Sequence, residues 1–127
     1  MAKFFKQLGL VVATFCLVVA GLAISAPQAA AANVTIKMGA DNGMLAFQPK
    51  EVEVSPGDTI QWDNNKMFPH NIVFEDAALA DLSHQGLLNT GNDDYTSVVP
   101  ADLAPGSYTF FCAPHRGAGM VGKLIVK

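Results

Sequence analysis

The chain has 127 residues, is 50% hydrophobic and carries a formal net charge of −3. That length fits one domain, and the acidic balance excludes the basic stripe that nucleic-acid binding demands. No repeat of 20–50 residues is present, which excludes solenoids and propellers.

Lys3 and Lys6 open the chain, and Leu8 to Ile24 is almost wholly apolar. Ser25, Ala26 and Pro27 break the run before Ala29-Ala30-Ala31-Ala32. A positive start, an apolar stretch and small residues at the end are the order of a cleavable secretory signal peptide. Ala30 and Ala32 supply the alternate small side chains that the peptidase needs, which places the cut after Ala32 to within about a residue. A retained membrane anchor is the competing reading, because the run is long for a signal. No twin-Arg pair precedes it, which favours export of the unfolded chain. Residues 1–32 are thus expected to leave, and residues 33–127 to form the domain.

Removal of the leader changes the chemistry of what remains. Six basic residues (Lys37, Lys50, Lys66, Arg116, Lys123, Lys127) against eleven acidic ones give the 95-residue product a net charge of −5. Cys16 departs, so Cys112 has no partner for an internal disulfide. A lone thiol in an oxidising compartment is either buried and inert or engaged in chemistry.

Along the domain, apolar and polar residues alternate with period two. Val34, Ile36 and Met38 share one face of a first strand. Val52 and Val54 share that of a second, and Ile60 and Trp62 that of a third. Ile72 and Phe74 follow His70. Tyr108, Phe110 and Cys112 face one way, with Thr109 and Phe111 opposite, and Leu124 and Val126 close the chain. Such alternation marks half-buried strands. Turn clusters separate them: Asp41-Asn42-Gly43, Ser55-Pro56-Gly57-Asp58, Thr90-Gly91-Asn92-Asp93 and Ala104-Pro105-Gly106. The pattern predicts an all-β sandwich or barrel. Asp76 to Leu88 lacks alternation and reads as a loop with one helical turn over Ala77, Ala78, Leu79 and Leu82.

The chemistry concentrates in Cys112-Ala113-Pro114-His115-Arg116-Gly117-Ala118-Gly119-Met120. A thiolate, an imidazole and a thioether fall within nine residues of a Gly- and Pro-containing loop that follows a strand. A second imidazole, His70, stands before the strand ending at Phe74. Taken singly, each has an ordinary role: a buried hydrophobe for Cys or Met, a surface or satisfied side chain for His. Together they match the two-His, one-Cys set with a weak axial Met that selects copper for electron transfer. Zinc is disfavoured because Met is a poor fourth ligand for it. Four protein ligands leave no open position for a substrate, so a catalyst is not expected. His84, in a polar run, reads as an exposed histidine.

These residues give the chain a resemblance to the plastocyanin family of cupredoxins, in particular its cyanobacterial members. The shared stretches are Met38-Gly39-Ala40-Asp41, Leu45-Ala46-Phe47, Asn64-Asn65, Phe68 through Phe74 and Tyr108 through Gly122. The run Cys112 to Gly122 is the most specific of them, whereas the ligand spacing alone is also that of pseudoazurins. The resemblance implies an eight-stranded Greek-key β-sandwich with one copper ion at one end, cycling between Cu(I) and Cu(II). It implies His70, Cys112, His115 and Met120 as ligands, with His115 nearest solvent and Asn71 bracing the Cys112 loop. It implies an apolar docking patch of Leu45, Pro69, Gly117 and Gly119, with Arg116 on its rim. It further implies a monomeric carrier between cytochrome f of the cytochrome bf complex and photosystem I, in the thylakoid lumen at the lumenal membrane face.

The sequence departs from the plant members of that family at two places. Phe111 stands where a Tyr is usual, and His84, Gln85 and Gly86 replace a second acidic cluster, while Glu75 and Asp76 partly match the first. Two other readings compete: a periplasmic cupredoxin donating to a reductase, and a copper storage or delivery protein. The latter needs an exchangeable site. A multicopper enzyme needs further His clusters, and the chain has three His in all.

Overall fold

The computed structural model describes residues 31–127, so the expected signal segment lies outside the described residues apart from its last two positions. Nine strands follow: β1 (Asn33–Met38), β2 (Phe47–Gln48), β3 (Glu51–Val54), β4 (Thr59–Asn64), β5 (His70–Phe74), β6 (His84–Leu88), β7 (Tyr95–Val98), β8 (Gly106–Phe111) and β9 (Val121–Val126). Two short 3₁₀ segments, Ala77–Leu82 and Ala113–Ala118, interrupt them. Among the described residues, no helix is long and apolar enough to cross a membrane.

The strands form two sheets, ordered β2-β1-β4-β7 and β3-β9-β8-β5-β6. β1 runs parallel to β4, and β3 runs parallel to β9. Parallel neighbours need crossover connections, and here the chain crosses between the sheets to make them. The expected all-β sandwich is what forms, with the two-residue β2 raising the strand count to nine.

The alternation read from sequence is the alternation of burial. Ile60, Trp62 and Asn64 of β4 point inward, as do Val52 and Val54 of β3. Trp62, Phe47 and Phe110 are at most 1% exposed. Phe110 meets Phe47 at 4.8 Å and Trp62 at 5.0 Å, both edge to face, the arrangement their ring quadrupoles favour. The indole N–H of Trp62 donates to Ser97 Oγ at 2.9 Å, so burying that nitrogen leaves nothing unpaired.

Two strands, β7 and β6, carry no clear hydrophobic alternation. Ser97 is the buried residue of β7 while Val98 is 57% exposed, which inverts the usual polarity of a strand. In β6 only Leu88 is buried. The segment Asp76 to Leu88 is therefore not all loop: the helical turn at Ala77–Leu82 is present, with Asp76 capping it, but a strand follows. That strand pairs with β5 across an irregularity between His70 and Ile72.

Candidate metal centre

The β8–β9 hairpin ends on the pair Phe111–Val121, so residues 112–120 form its connecting loop. Cys112 N–H donates to Met120 O at 3.1 Å, which extends the ladder one step and sets Cys112 across from Met120. Pro114 lies in the first turn of the 3₁₀ segment, where its missing N–H costs nothing. His115 N–H donates to Cys112 O at 3.1 Å, and Met120 N–H to His115 O at 3.2 Å. Gly119 ends the turn with φ 90°, a conformation that glycine adopts freely. The loop thus closes on itself through its backbone.

β5 lies antiparallel beside β8, pairing Val73 with Phe111. That brings His70, at the start of β5, to the same end of the sandwich. The Nδ1 atoms of His70 and His115 lie 3.6 Å and 3.5 Å from Cys112 Sγ. The candidate ligand atoms of the three residues all fall within 4.8 Å of one another. Cys112, His70 and Met120 are fully buried, whereas His115 is partly exposed. The cluster fits a single blue-copper site: one thiolate, two imidazoles and a thioether beside them.

The surroundings set the state of each donor. His70 Nε2 donates to the backbone carbonyl of Lys66. A ring N–H committed there leaves Nδ1 with its lone pair toward Cys112, the arrangement that fixes a metal-binding tautomer. Burial pushes the His70 pKa below its ordinary value; the Lys66 carbonyl opposes this and the neighbouring His115 adds to it. His70 is accordingly neutral at pH 7. Burial also pushes the Cys112 thiol up, against the backbone N–H groups of Asn71 and His115 that favour the thiolate. A cation must therefore displace a proton from Cys112 to bind.

Asn71 spans the two segments. Its Oδ1 accepts the N–H of Ala113 at 2.7 Å, and its Nδ2 donates to Gln85 O at 3.1 Å. Arg116 leaves the cluster on the outer side. It pairs with Glu75 at 2.8 Å, and its guanidinium carbon lies 3.9 Å from the centre of the Phe111 ring. Glu75 is a partner that alternation does not disclose, since it follows β5 and is 41 residues from Arg116. Phe111, on the strand face opposite Cys112, is half-buried under this cation.

Of the expected docking residues, Gly117 and Gly119 are exposed, and Leu45 and Pro69 are half-buried. Larger apolar surface comes from their sequence neighbours: Met44 is 62% exposed, Met67 54% and Phe68 39%. Phe68 and His70 are in edge-to-face contact at 6.3 Å. The loops bearing Met44 and Met67 are tied together by Asn65 Nδ2 donating to Gly39 O and Lys66 Nζ donating to Asp41 O. His84 is half-buried rather than exposed, and its ring lies 4.7 Å from that of Tyr95.

Residues 34–127 match the model of the copper binding proteins of the plastocyanin/azurin family. Plastocyanin from Nostoc punctiforme is 45% identical over 130 residues, covering 96% of this chain and 94% of that protein. The chloroplastic plastocyanin of Tetradesmus obliquus is 50% identical over 115 residues, 86% of this chain and 75% of the relative. The oxidized plastocyanin of the fern Dryopteris crassirhizoma superposes with a TM-score of 0.62 at 30% identity, covering 73% of this chain and 99% of the fern one. With the fold, the donor cluster and these relatives in agreement, the chain belongs to the plastocyanin family of blue-copper electron carriers.

Proposed function

We propose that this protein carries single electrons from cytochrome f of the cytochrome bf complex to photosystem I, in the thylakoid lumen after removal of its leader. Copper is held by His70, Cys112, His115 and Met120. The observation that carries this reading is the convergence of both imidazole Nδ1 atoms on the buried Cys112 sulfur. Bound copper supplies the one-electron couple between Cu(I) and Cu(II).

The chain's own residues do the rest. The Lys66 carbonyl and the Asn71–Ala113 hydrogen bond hold both histidine-bearing segments in one geometry, and a preset donor arrangement needs little rearrangement when the charge changes. The N–H groups of Asn71 and His115 on Cys112 Sγ draw charge from the sulfur, one of the levers on a copper–thiolate potential. Burial of Cys112, His70 and Met120 keeps water away. His115, partly exposed, is the short route for the electron to a partner. Leu45, Pro69, Gly117 and Gly119 form the docking face around it, with Arg116 at its rim.

The visible spectrum of the Cu(II) protein is the first test, since a Cys112 thiolate bonded to copper gives an intense blue band. Stopped-flow mixing with reduced cytochrome f, and flash oxidation by photosystem I, then test the route. A blue protein inert toward both, but active with a periplasmic reductase, replaces this reading with the pseudoazurin-like one.

A further inference from the structure

Asp58 sits in the turn between β3 and β4 and is 7% exposed. Its Oδ2 accepts the Ser55 N–H at 2.8 Å, and its Oδ1 accepts the N–H of Ala32 at 2.9 Å. The carbonyl of Ala32 in turn accepts the Thr59 N–H at 3.0 Å. Ala32 is therefore held on both backbone groups, immediately ahead of β1. None of the ion pairs among the described residues includes Asp58. Its carboxylate, nearly buried, faces two neutral N–H donors.

Signal peptidases need small residues one and three positions before the bond they cut. Within Ala29–Ala32, two bonds meet that rule. One follows Ala31, with Ala29 as the other small residue; the other follows Ala32, with Ala30. The rule does not separate them, and the fold does. We propose that the Ala31–Ala32 bond is the processing site, and that the ammonium of Ala32 then becomes the cationic partner of Asp58.

This rests on the reading that the chain is exported and trimmed. Water adds across the amide: Ala31 departs as a carboxylate with the leader, and the nitrogen of Ala32 stays as an ammonium. An exported-chain peptidase supplies the catalysis, and nothing is oxidised or reduced. The nitrogen already placed on Asp58 gains a full charge where it stands, which turns a hydrogen bond charged on the acceptor alone into a hydrogen-bonded ion pair. A cut one residue later removes Ala32. Asp58 Oδ1 then loses its donor, and the Thr59 N–H loses its acceptor.

The test begins with the full chain expressed with its leader in an exporting host, followed by intact mass and N-terminal sequencing of the product. Ala32 as the first residue is the expected result. Asn33 as the first residue overturns this site and leaves the export reading standing. A product that keeps its leader overturns both. Thermal melts of chains beginning at Ala32 and at Asn33, each with Asp58 and with Asp58→Asn, test the ion pair separately. The Ala32 chain should melt higher by about 4 °C, the shift that ~1 kcal/mol gives in a domain of this size, and Asp58→Asn should erase most of that difference. Equal melting of the Ala32 and Asn33 chains with Asp58 intact overturns the pairing.

Discussion

The side-chain oxygen of Asn71 accepts the backbone N–H of Ala113 at 2.7 Å, joining the strand that begins at His70 to the loop that holds His115. Asn71→Ala removes that link and orphans the Gln85 carbonyl as well. Supports of this kind are worth about 10–100-fold in metal affinity. Competition titration followed through the blue band should find a loss in that range, with the fold retained by circular dichroism.

The proposed ligands differ in what their removal does. Cys112→Ser should abolish the blue colour, because a hydroxyl cannot replace the soft thiolate. His70→Ala should lose the site. Met120→Leu should keep a coloured copper and raise the potential, since the axial ligand tunes it. Absorption spectra and voltammetry on the three variants check this; an intense blue band in Cys112→Ser would refute the assignment.

Arg116 is half of a surface pair with Glu75 as well as a cation over Phe111. Its effect on association should therefore depend on both neighbours. Arg116→Glu sets two carboxylates together and should slow electron transfer to an acidic partner face, with a smaller salt dependence and an unchanged copper spectrum. Glu75→Gln should leave Arg116 a freer cation and speed the same reaction. Phe111→Tyr keeps an aromatic face and should be nearly neutral. Phe111→Leu removes that face and should cost about 0.5–1 kcal/mol of stability. Stopped-flow rates against ionic strength, with thermal melts, separate these effects.

Two glycines allow close approach for different ends. A Cβ on Gly39, where φ is +83°, would stand 2.0 Å from the Lys66 carbonyl oxygen, the same oxygen that orients His70. A Cβ on Gly122 would stand 2.5 Å from the Phe110 ring and 2.8 Å from the Lys50 carbonyl, inside the sandwich. Both Gly39→Ala and Gly122→Ala should destabilise by about 1–3 kcal/mol, the usual cost of overpacking. Gly39→Ala should also alter the copper spectrum, and Gly122→Ala should alter it less. Paired melts and spectra distinguish them.

Acid stability should register Asp58. The N–H of Ser55, and after it that of Ala32, hold its carboxyl below the usual carboxylate range. A depressed folded pKa contributes stability that is full above the unfolded value, about 3.9, and is lost as pH falls through the folded one. As pH falls below about 4, denaturant midpoints of the wild type should fall more steeply than those of Asp58→Asn. Parallel slopes for the two proteins would remove Asp58 from the acid response.

What sequence revealed of the fold depended on where apolar side chains carry the burial. β1, β3, β4, β5, β8 and β9 alternate in hydrophobicity and were readable. β7 was not, because its buried position is Ser97, made tolerable by Trp62 35 residues away. β6 hides for a similar reason, with Gly86 and an exposed Leu87 in its middle. At the metal centre the donor types were legible because three of them are adjacent in the chain. The Lys66 carbonyl on His70 and Glu75 on Arg116 were not, since each is a tertiary contact made by a group with no distinctive local signature.

The Ala113–Ala118 turn contains no buried residue, although the residues flanking it, Cys112 and Met120, are fully buried. The segment that spaces three of the four donors is thus mechanically separate from the hydrophobic interior. Its length and composition can drift, or be replaced outright, while the sandwich keeps its packing. Only His115 and the anchor points where the segment leaves β8, rejoins β9 and meets Asn71 need be preserved. Such a division lets one stable scaffold present different apertures, and so different redox tuning and partner preference, without the interior being solved again.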